Sequence, residues 1–239
     1  MVRDACAAPP GRAGPVTAPD RADPRRQMLE VITAHALTLP DRTGPRRLDA
    51  RVMQVMATLP REAFVPPAWQ HHAYEDRPLP IGCGKTISQP FIVALMSDLL
   101  DPQPTDRVLE IGTGLGYQTA VLARLAGHVY TVERLAPLAD EARERLAALG
   151  IDNVSARVGN GWQGWPEHAP FDRIMVTGAP ATVPPALVEQ LRPGGRLVLP
   201  VGPVGAQQLV VIDKDDDGDI RTRHVLPVSF STLDDSEAG

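Results

Sequence analysis

The sequence predicts an α/β fold, with a doubly wound, mostly parallel sheet of seven strands, N-terminal helices and a C-terminal antiparallel hairpin. Two observations predict this fold. Strand-like apolar runs alternate with helical stretches after Pro104, a pattern typical of a parallel sheet covered by helices on both faces. The 239 residues are also 43% hydrophobic and 22% charged, which excludes wholesale disorder and suits one large domain or two small ones.

The first hundred residues are predicted to form a leader followed by helices. Residues 1–27 are rich in Pro, Ala, Arg and Gly without periodicity, so we predict a disordered leader there. Apolar residues recur at helical spacing over 28–39 and 48–59, which predicts two amphipathic helices interrupted between Pro40 and Pro45. The proline-rich stretch 64–80 is predicted to be extended, and a third helix is predicted over 91–100.

The rest of the chain supplies the sheet. Strands are predicted at 107–111, 129–133, 154–158, 172–177 and 196–201, with helices over 117–126, 135–149 and 184–191. The last apolar runs, 207–213 and 220–230, flank an acidic turn that contains glycine, so a terminal hairpin is predicted. The turn resembles the start of a calcium loop, but His224 stands where such a loop needs a bidentate glutamate, and we predict no metal site.

Composition and charge exclude several classes of protein. A net charge of −5 makes general binding to nucleic acid improbable. The two cysteines, Cys6 and Cys83, are too few for a disulfide framework or a four-ligand metal site. No apolar run approaches the roughly 18 residues of a membrane span, and the N-terminus lacks the apolar stretch of a secretory signal. We therefore expect a cytoplasmic protein that binds neither nucleic acid nor membranes.

A glycine-rich turn is the most informative segment. Gly112, Gly114 and Gly116 follow the strand at 107–111, and Glu133 ends the next strand, 21 residues after Gly112. Glycine lets the backbone turn sharply and lets a ligand lie close to it. A carboxylate at the end of the next strand can accept both hydroxyls of a ribose, so the pattern predicts a site for a nucleoside cofactor.

The spacing and the acid before the loop indicate which cofactor. Dinucleotide folds use G-x-G-x-x-G and place a pyrophosphate at the helix N-terminus, whereas this loop is G-x-G-x-G and is preceded by Glu110. A carboxylate there would repel a pyrophosphate but suits a ligand with an ammonium and a sulfonium group. The loop therefore favours S-adenosylmethionine over NAD, the alternative being a tight turn with only a structural role.

A third element, Asn160 with Gly161, follows the strand at 154–158. In an open parallel sheet, ligands bind outside the carboxyl ends of the strands, and this element falls on the same edge as the glycine loop. An ordinary Asn-Gly turn is the alternative interpretation.

From about Arg51 to Phe230 the chain resembles the protein-L-isoaspartate O-methyltransferases. The resemblance is carried by segments spread along the chain: PREAFVP (60–66), AYEDRPLPIG (73–82), TISQP (86–90), VLEIGTGLGYQTAVLA (108–123), NGWQGWPEHAPFD (160–172), VTGAP (176–180) and GGRLVLPVG (194–202). It implies a Rossmann-like methyltransferase sheet and a single domain over 28–239. Residues 28–100 would form a helical, substrate-binding part, and residues 101–239 a cofactor-binding sheet.

The resemblance also implies an activity. Enzymes of this family use S-adenosylmethionine to methylate the free carboxylate of an isoaspartyl residue, with S-adenosylhomocysteine as product. The methyl ester then collapses to a succinimide, and hydrolysis returns some normal aspartate. The expected partner is therefore a damaged protein or peptide, and the enzyme is expected to be a monomer.

Residue roles follow from the same resemblance. Ser88 matches the active-site serine, with an expected hydrogen bond to the substrate carboxylate; an N-cap of the helix at 91–100 is the alternative. Further residues are expected to bind the cofactor: Thr86, Glu110, Gly112, Thr113, Gly114, Gly116, Glu133, Asn160 and Gly161. Glu110 and the glycine loop would hold the methionine part, Glu133 the ribose, and Asn160 with Gly161 the adenine edge. Three residues are expected to face the substrate: Lys85, Ile87 and Gln89.

The sequence departs from the family pattern at three places. Asn160 stands where the family usually has Asp, Lys85 where it often has Gln, and the segment 230–233 differs from the usual Phe-Val-Pro-Leu-like sequence. Two rival functions therefore stay open. One is a carboxyl methyltransferase dedicated to an aspartate of one peptide precursor, which would form an aspartimide. The other is a module that binds S-adenosylmethionine without catalysis. An NAD oxidoreductase is the weakest option.

Overall fold

The structure, a computed structural model, describes residues 23–41 and 44–233. Within this part, the α-helices are α1 (Pro24–Thr38), α2 (Ala50–Thr58), α3 (Pro90–Leu100), α4 (Tyr117–Ala123), α5 (Ala136–Ala148) and α6 (Pro185–Glu189). Short 3₁₀ helices cover Arg61–Phe64, Pro67–His72, Gly161–Gln163 and Pro166–His168. The strands are β1 (Pro40–Asp41), β2 (Gly44–Pro45), β3 (Leu79–Gly82), β4 (Lys85–Ile87), β5 (Arg107–Ile111), β6 (His128–Glu133), β7 (Val154–Val158), β8 (Phe171–Val176), β9 (Leu191–Val201), β10 (Gln207–Lys214) and β11 (Ile220–Val228).

Seven of these strands form one sheet in the order β11-β10-β9-β8-β5-β6-β7. The five strands from β9 to β7 are parallel to their neighbours, while β10 runs antiparallel to both β9 and β11. The predicted fold class is confirmed, including the terminal hairpin. Because β5 and β6 are parallel neighbours, their carboxyl ends bring the glycine loop and Glu133 to one edge of the sheet.

The apolar core lies on both faces of this sheet. Val108 belongs to a cluster shared with helices α1 to α5, whereas the next residue, Leu109, belongs to a second cluster that includes Leu187 of α6. This division follows from the pleat, since successive strand side chains point to opposite faces. The strands are buried on both faces and therefore read as continuous apolar runs.

The N-terminal part differs from the prediction at its start. Helix α1 begins at Pro24, where Asp23 is the N-cap and its carboxylate accepts a hydrogen bond of 3.0 Å from the backbone N–H of Arg25. Residues 24–27 are thus helical, and the predicted leader cannot extend to residue 27. The rest of that leader lies outside the described residues. Met28, Ile32 and Ala36 form the buried face of α1 at four-residue spacing.

The boundaries of other elements also differ from those predicted. The stretch 64–80 is extended only in part, since a 3₁₀ helix, Pro67–His72, occupies its first half, whereas strand β3 begins at Leu79. Strand β9 begins at Leu191, five residues before the predicted start. In the part of the chain that the structure describes, no helix is long and apolar enough to cross a membrane.

Candidate active site

A cavity of about 1160 Å³ opens at the carboxyl edge of the parallel strands. Its walls come from four parts of the chain: the end of α1, the β3–β4 hairpin with the residues after it, the loops after β5, β6, β7 and β8, and the segment 226–233. This volume exceeds the typical upper range of about 1,000 Å³ for small-molecule sites, so the cavity has room for a cofactor together with part of a second ligand.

Most of the residues predicted from the sequence line this cavity: Lys85, Thr86, Ser88, Gln89, Gly112, Gly114, Glu133, Asn160 and Gly161. Two others, Ile87 and Thr113, line a small neighbouring cavity of about 50 Å³. Glu110 and Gly116 line neither cavity. The structure therefore brings predicted residues from four segments of the chain to one place, but four other predicted residues do not line the main cavity.

The glycine loop is held tightly against its neighbours. Gly112 has a φ of +96°, and a Cβ atom there would lie 2.4 Å from Thr177 Oγ1, so only glycine fits. The Thr177 hydroxyl is 2.6 Å from the carbonyl oxygen of Gly112 and donates to it. Thr177, which the sequence interpretation missed, belongs to the VTGAP segment at the end of β8.

Glu133 has the geometry expected for a group that binds ribose. Its carboxylate accepts hydrogen bonds from the backbone N–H of Gly114 at 2.8 Å and of Leu135 at 3.0 Å, one on each oxygen. A carboxylate offers about four acceptor positions, so each oxygen can still accept a ligand hydroxyl. The side chain is 7% exposed and lines the cavity. This set of acceptors fits the nucleoside part of S-adenosylmethionine.

Glu110 lines neither cavity, and its predicted role in binding the methionine part stays a prediction. The side chain is fully buried, with one carboxyl oxygen accepting from the hydroxyls of Thr119 and Thr131. The other oxygen, Oε1, has no hydrogen-bond partner among the described residues. Burial raises the pKa of Glu110 to about 8. The reason is the pleat of β5, which turns Ile111 toward the cavity and Glu110 toward α4.

A chain of hydroxyls connects this buried carboxyl to the glycine loop. Thr131 Oγ1 lies 2.7 Å from Glu110 Oε2 and 2.6 Å from Thr113 Oγ1. The Thr113 hydroxyl therefore bonds inward to Thr131, and its predicted direct contact with the cofactor stays a prediction. Gly116, with a φ of +94°, is the N-cap of α4. Glu110, Thr113 and Gly116 thus support the glycine loop on the side that faces away from the main cavity.

Ser88 lies between β4 and α3 and faces the cavity. The alternative role as an N-cap is not observed, because Gln89 occupies the N-cap position of α3. The carboxylate of Asp76 accepts from the backbone N–H of Phe91 at 2.8 Å instead. The Ser88 hydroxyl makes no hydrogen bond to any described residue, so it is available to a ligand.

Asp76 is a second residue that the sequence interpretation missed. Besides capping α3, it accepts a 2.7 Å hydrogen bond from Gln89 Nε2 and lies 2.9 Å from Nδ1 of His35 on α1. His35 itself lines the cavity. Asp76 lies within the AYEDRPLPIG segment, which signalled its region, whereas nothing local in the sequence signalled His35.

Asn160 and Gly161 bring the loop after β7 close to the end of β5. Asn160 Oδ1 accepts a 3.0 Å hydrogen bond from the backbone N–H of Trp162 and caps a short 3₁₀ helix. A Cβ atom at Gly161 would lie 2.2 Å from Ile111 Cγ2. Glycine is therefore required for this approach, which places the backbone on the cavity wall.

Charged groups and the C-terminal segment complete the cavity. Lys85 and Arg134 line it, and neither forms a salt bridge with any described residue. The segment 230–233 crosses the sheet edge and is held by backbone hydrogen bonds from Ala179 to Ser231 and from Leu233 to Ala179. Its departure from the usual sequence does not remove it from the cavity wall. Among the described residues, no group of His, Cys, Asp or Glu has an arrangement that could hold a metal ion.

The chain is similar to proteins of one family over most of its length. The sequence model of the family described as protein-L-isoaspartate(D-aspartate) O-methyltransferase matches residues 41–238. The protein-L-isoaspartate O-methyltransferase 1 of Polaromonas sp. is 51% identical over 226 residues, covering 95% of this chain and 96% of that protein. The protein of the same name from Cupriavidus necator is 52% identical over 217 residues, covering 90% and 82%.

Solved structures agree with this. A protein-L-isoaspartate O-methyltransferase superimposes with a TM-score of 0.72 at 27% identity over 87% of this chain, which spans 65% of that longer chain. A Plasmodium falciparum protein provisionally assigned to the same family, in complex with S-adenosyl-L-homocysteine, superimposes with a TM-score of 0.74 at 24% identity, covering 90% and 100%. The second similarity concerns the fold alone.

Proposed function

This chain belongs to the protein-L-isoaspartate(D-aspartate) O-methyltransferase family, and on that premise we propose that it methylates the free carboxylate of L-isoaspartyl residues in damaged proteins and peptides. It is a methyltransferase that uses S-adenosylmethionine and releases S-adenosylhomocysteine. Methylation begins repair, because the ester collapses to a succinimide and hydrolysis of the succinimide returns part of the damaged residue to aspartate.

One observation carries the proposal. The unengaged hydroxyl of Ser88 and the partly occupied carboxylate of Glu133 lie on the walls of a single cavity. A hydroxyl donor suits a carboxylate substrate, and a carboxylate acceptor suits a ribose. The cavity can therefore hold the methyl donor and the acceptor carboxylate side by side.

The substrate side needs no general base. A carboxyl group with a pKa near 4 is ionised at neutral pH and is already a nucleophile. Ser88 donates a hydrogen bond to that carboxylate and fixes its direction. Lys85 adds a positive charge, Gln89 is held by Asp76 at 2.7 Å, and Ile87 belongs to the apolar core. Ser88 is not itself a nucleophile, since no described residue hydrogen-bonds to its hydroxyl to activate it.

The cofactor side is formed by a different set of groups. Glu133 would accept from the ribose hydroxyls, and the backbone at Gly112 and Gly114 would hold the methionine part. Thr86, Asn160 and Gly161 complete the wall around the rest of the cofactor. When bound there, S-adenosylmethionine supplies an electrophilic methyl group on a sulfonium.

Water exclusion is the remaining task of the protein. Opposite charges are lost as the acceptor carboxylate and the sulfonium approach the transition state, and water stabilises the separated charges. A dry, oriented site therefore favours the reaction. The β3–β4 hairpin and the segment 230–233 stand on the cavity wall where they shield it from solvent.

The decisive experiment measures transfer of a labelled methyl group to an isoaspartyl peptide and to its aspartyl twin. We expect transfer to the isoaspartyl peptide alone. Ser88→Ala should keep affinity for S-adenosylhomocysteine and lose most turnover, while Ser155→Ala, on β7 and away from the cavity, serves as the matched control. Unchanged turnover in Ser88→Ala would exclude the assigned role.

The same assay separates the rivals. Transfer to one aspartyl precursor peptide, and not to isoaspartyl peptides, would identify a dedicated peptide methyltransferase. Cofactor binding without transfer to any carboxylate would identify a binding module.

We also propose the organisation and setting of the protein. The chain from α1 onward acts as a single domain, with the residues up to 100 supplying the substrate side and residues 101–239 the cofactor side. The support is that α1 and the β3–β4 hairpin line the same cavity as the loops of the sheet. The enzyme acts as a cytoplasmic monomer, without nucleic acid or membrane partners. Light scattering after gel filtration tests the monomer.

A further inference from the structure

Arg61 is a buried cation that the proposed mechanism does not use. It begins the 3₁₀ helix Arg61–Phe64 and its side chain is 0% exposed. No described carboxylate forms a salt bridge with it, although Asp76 attracts it from a longer distance. Burying a guanidinium without a directly paired carboxylate is unfavourable, so its other contacts must compensate.

Those contacts join three parts of the site. Arg61 Nε donates to the carbonyl oxygen of Ala73 at 2.8 Å, and Nη2 donates to the carbonyl oxygen of Ser88 at 2.7 Å. The guanidinium carbon lies 4.7 Å from the ring centroid of Tyr117. Tyr117 is the first residue of α4, directly after Gly116 of the glycine loop. The third nitrogen, Nη1, has no partner among the described residues.

Ser88 needs such an anchor. It lies after β4 ends at Ile87 and before α3 begins at Pro90, so its carbonyl belongs to neither a strand ladder nor a helix. A charge-assisted hydrogen bond is about twice as strong as a neutral one. The rigid fork of Arg61 therefore fixes the Ser88 peptide group, and with it the direction of the hydroxyl on the cavity wall.

We propose that Arg61 is a positioning residue for methyl transfer, which acts through the Ser88 backbone and contacts neither the cofactor nor the substrate. This inference rests on the proposed function, because it concerns the orientation of Ser88 toward a carboxylate. Lysine does not reproduce these contacts, since its compact ammonium lacks both the planar face that lies over Tyr117 and the fixed spacing of Nε and Nη2.

The experiment is a double-mutant cycle of Arg61→Lys and Ser88→Ala, assayed by methyl transfer to the isoaspartyl peptide. Misplacing a reacting group by about 1 Å can cost on the order of a hundredfold in rate. We expect kcat of Arg61→Lys to fall about tenfold to a hundredfold, with affinity for S-adenosylhomocysteine unchanged within about twofold. In the Ser88→Ala background, Arg61→Lys should lower kcat by less than about twofold.

A merely structural Arg61 predicts a different result, namely the same loss in both backgrounds. Arg173→Lys is the control, because Arg173 is largely buried, at 13% side-chain exposure, but its Nε donates to the backbone carbonyl oxygen of Asp101 and lies 3.6 Å from the carboxylate of Asp106, away from the cavity. It should leave kcat unchanged.

A second variant, Arg61→Gln, is assayed for binding of S-adenosylhomocysteine in parallel. Three results would overturn the inference: an unchanged kcat in Arg61→Lys, an equal loss of kcat on Arg61→Lys with and without Ser88→Ala, or loss of cofactor binding in both Arg61 variants. Failure of the proposed function itself is distinguishable, because the wild-type enzyme would then not methylate the isoaspartyl peptide at all. If the wild type methylates another carboxyl peptide, the cycle is run on that peptide.

Discussion

Replacement of Glu110 by glutamine tests whether the buried carboxyl group behind the glycine loop keeps its proton. The carboxyl is fully buried, and its Oε2 accepts from the hydroxyls of Thr119 and Thr131. Glutamine has nearly the same shape and keeps a carbonyl oxygen for these two donors. It differs in that the amide cannot lose a proton and become a buried anion, and in that an NH2 group stands at the buried position of Oε1.

The magnitude follows from the pKa of the folded protein. Burial raises the pKa of Glu110 from 4.5 to about 8, so at pH values between these limits the folded chain holds a proton that the unfolded chain has lost. Raising the pH therefore lowers the stability of the wild type by up to about 1.4 kcal/mol per pH unit in this window, and no further above it. Glu110→Gln lacks this loss.

Between pH 5.5 and 7.5, we expect the unfolding free energy of the wild type to fall by about 3 kcal/mol relative to that of Glu110→Gln. Urea denaturation at three pH values in this range measures it. Glu144→Gln, which changes an exposed residue of α5, controls for the chemical change itself. A difference that stays constant with pH would refute the conclusion that Glu110 keeps its proton.

The same variant separates two roles at the cofactor site. If Glu110 acts only through Thr131 and Thr113, Glu110→Gln should change affinity for S-adenosylhomocysteine by less than about threefold. Direct contact with the methionine ammonium would instead cost on the order of 1.5–3 kcal/mol, which is the range for hydrogen bonds to charged groups. Titration calorimetry distinguishes the two.

Two further changes probe the cavity walls. Glu133→Gln should weaken S-adenosylhomocysteine binding at least about tenfold in calorimetry, because charged acceptors are worth about 1.5–3 kcal/mol; an unchanged affinity would exclude the ribose contact. Gly161→Ala should destabilise the protein by about 1–3 kcal/mol through overpacking, since its Cβ atom would lie 2.2 Å from Ile111. Gly159→Ala meets only ordinary contacts of 3.6 Å or more, so equal melting temperatures of the two variants would contradict the packing argument.

Local patterns determined most of the fold. The alternation of apolar runs and helical stretches predicted all seven strands of the main sheet, and the boundaries of β5 and β7 were correct to the residue. The parallel pairing of β5 with β6 then placed Gly112 and Glu133 at one edge. These features depend on side-chain periodicity and glycine conformation, which a few neighbouring residues set by themselves.

Start sites of elements were less predictable where a cap or a turn decides them. Helix α1 begins at Pro24 because Asp23 caps it, in a segment whose overall composition indicated disorder. The two 3₁₀ helices in the stretch 61–72 have no apolar periodicity that would distinguish them from an extended chain.

The sequence by itself determined the fold class, the family, the glycine loop and the place of Ser88 beside it. Only the tertiary structure decided that Glu110 faces a buried hydroxyl chain, that Asp76 and not Ser88 caps α3, and that Arg61 holds the Ser88 carbonyl from 27 residues away. The physical reason is the range of the interactions. Periodicity and turn conformation are properties of neighbouring residues, whereas the environment of a buried charge depends on which distant segments pack around it.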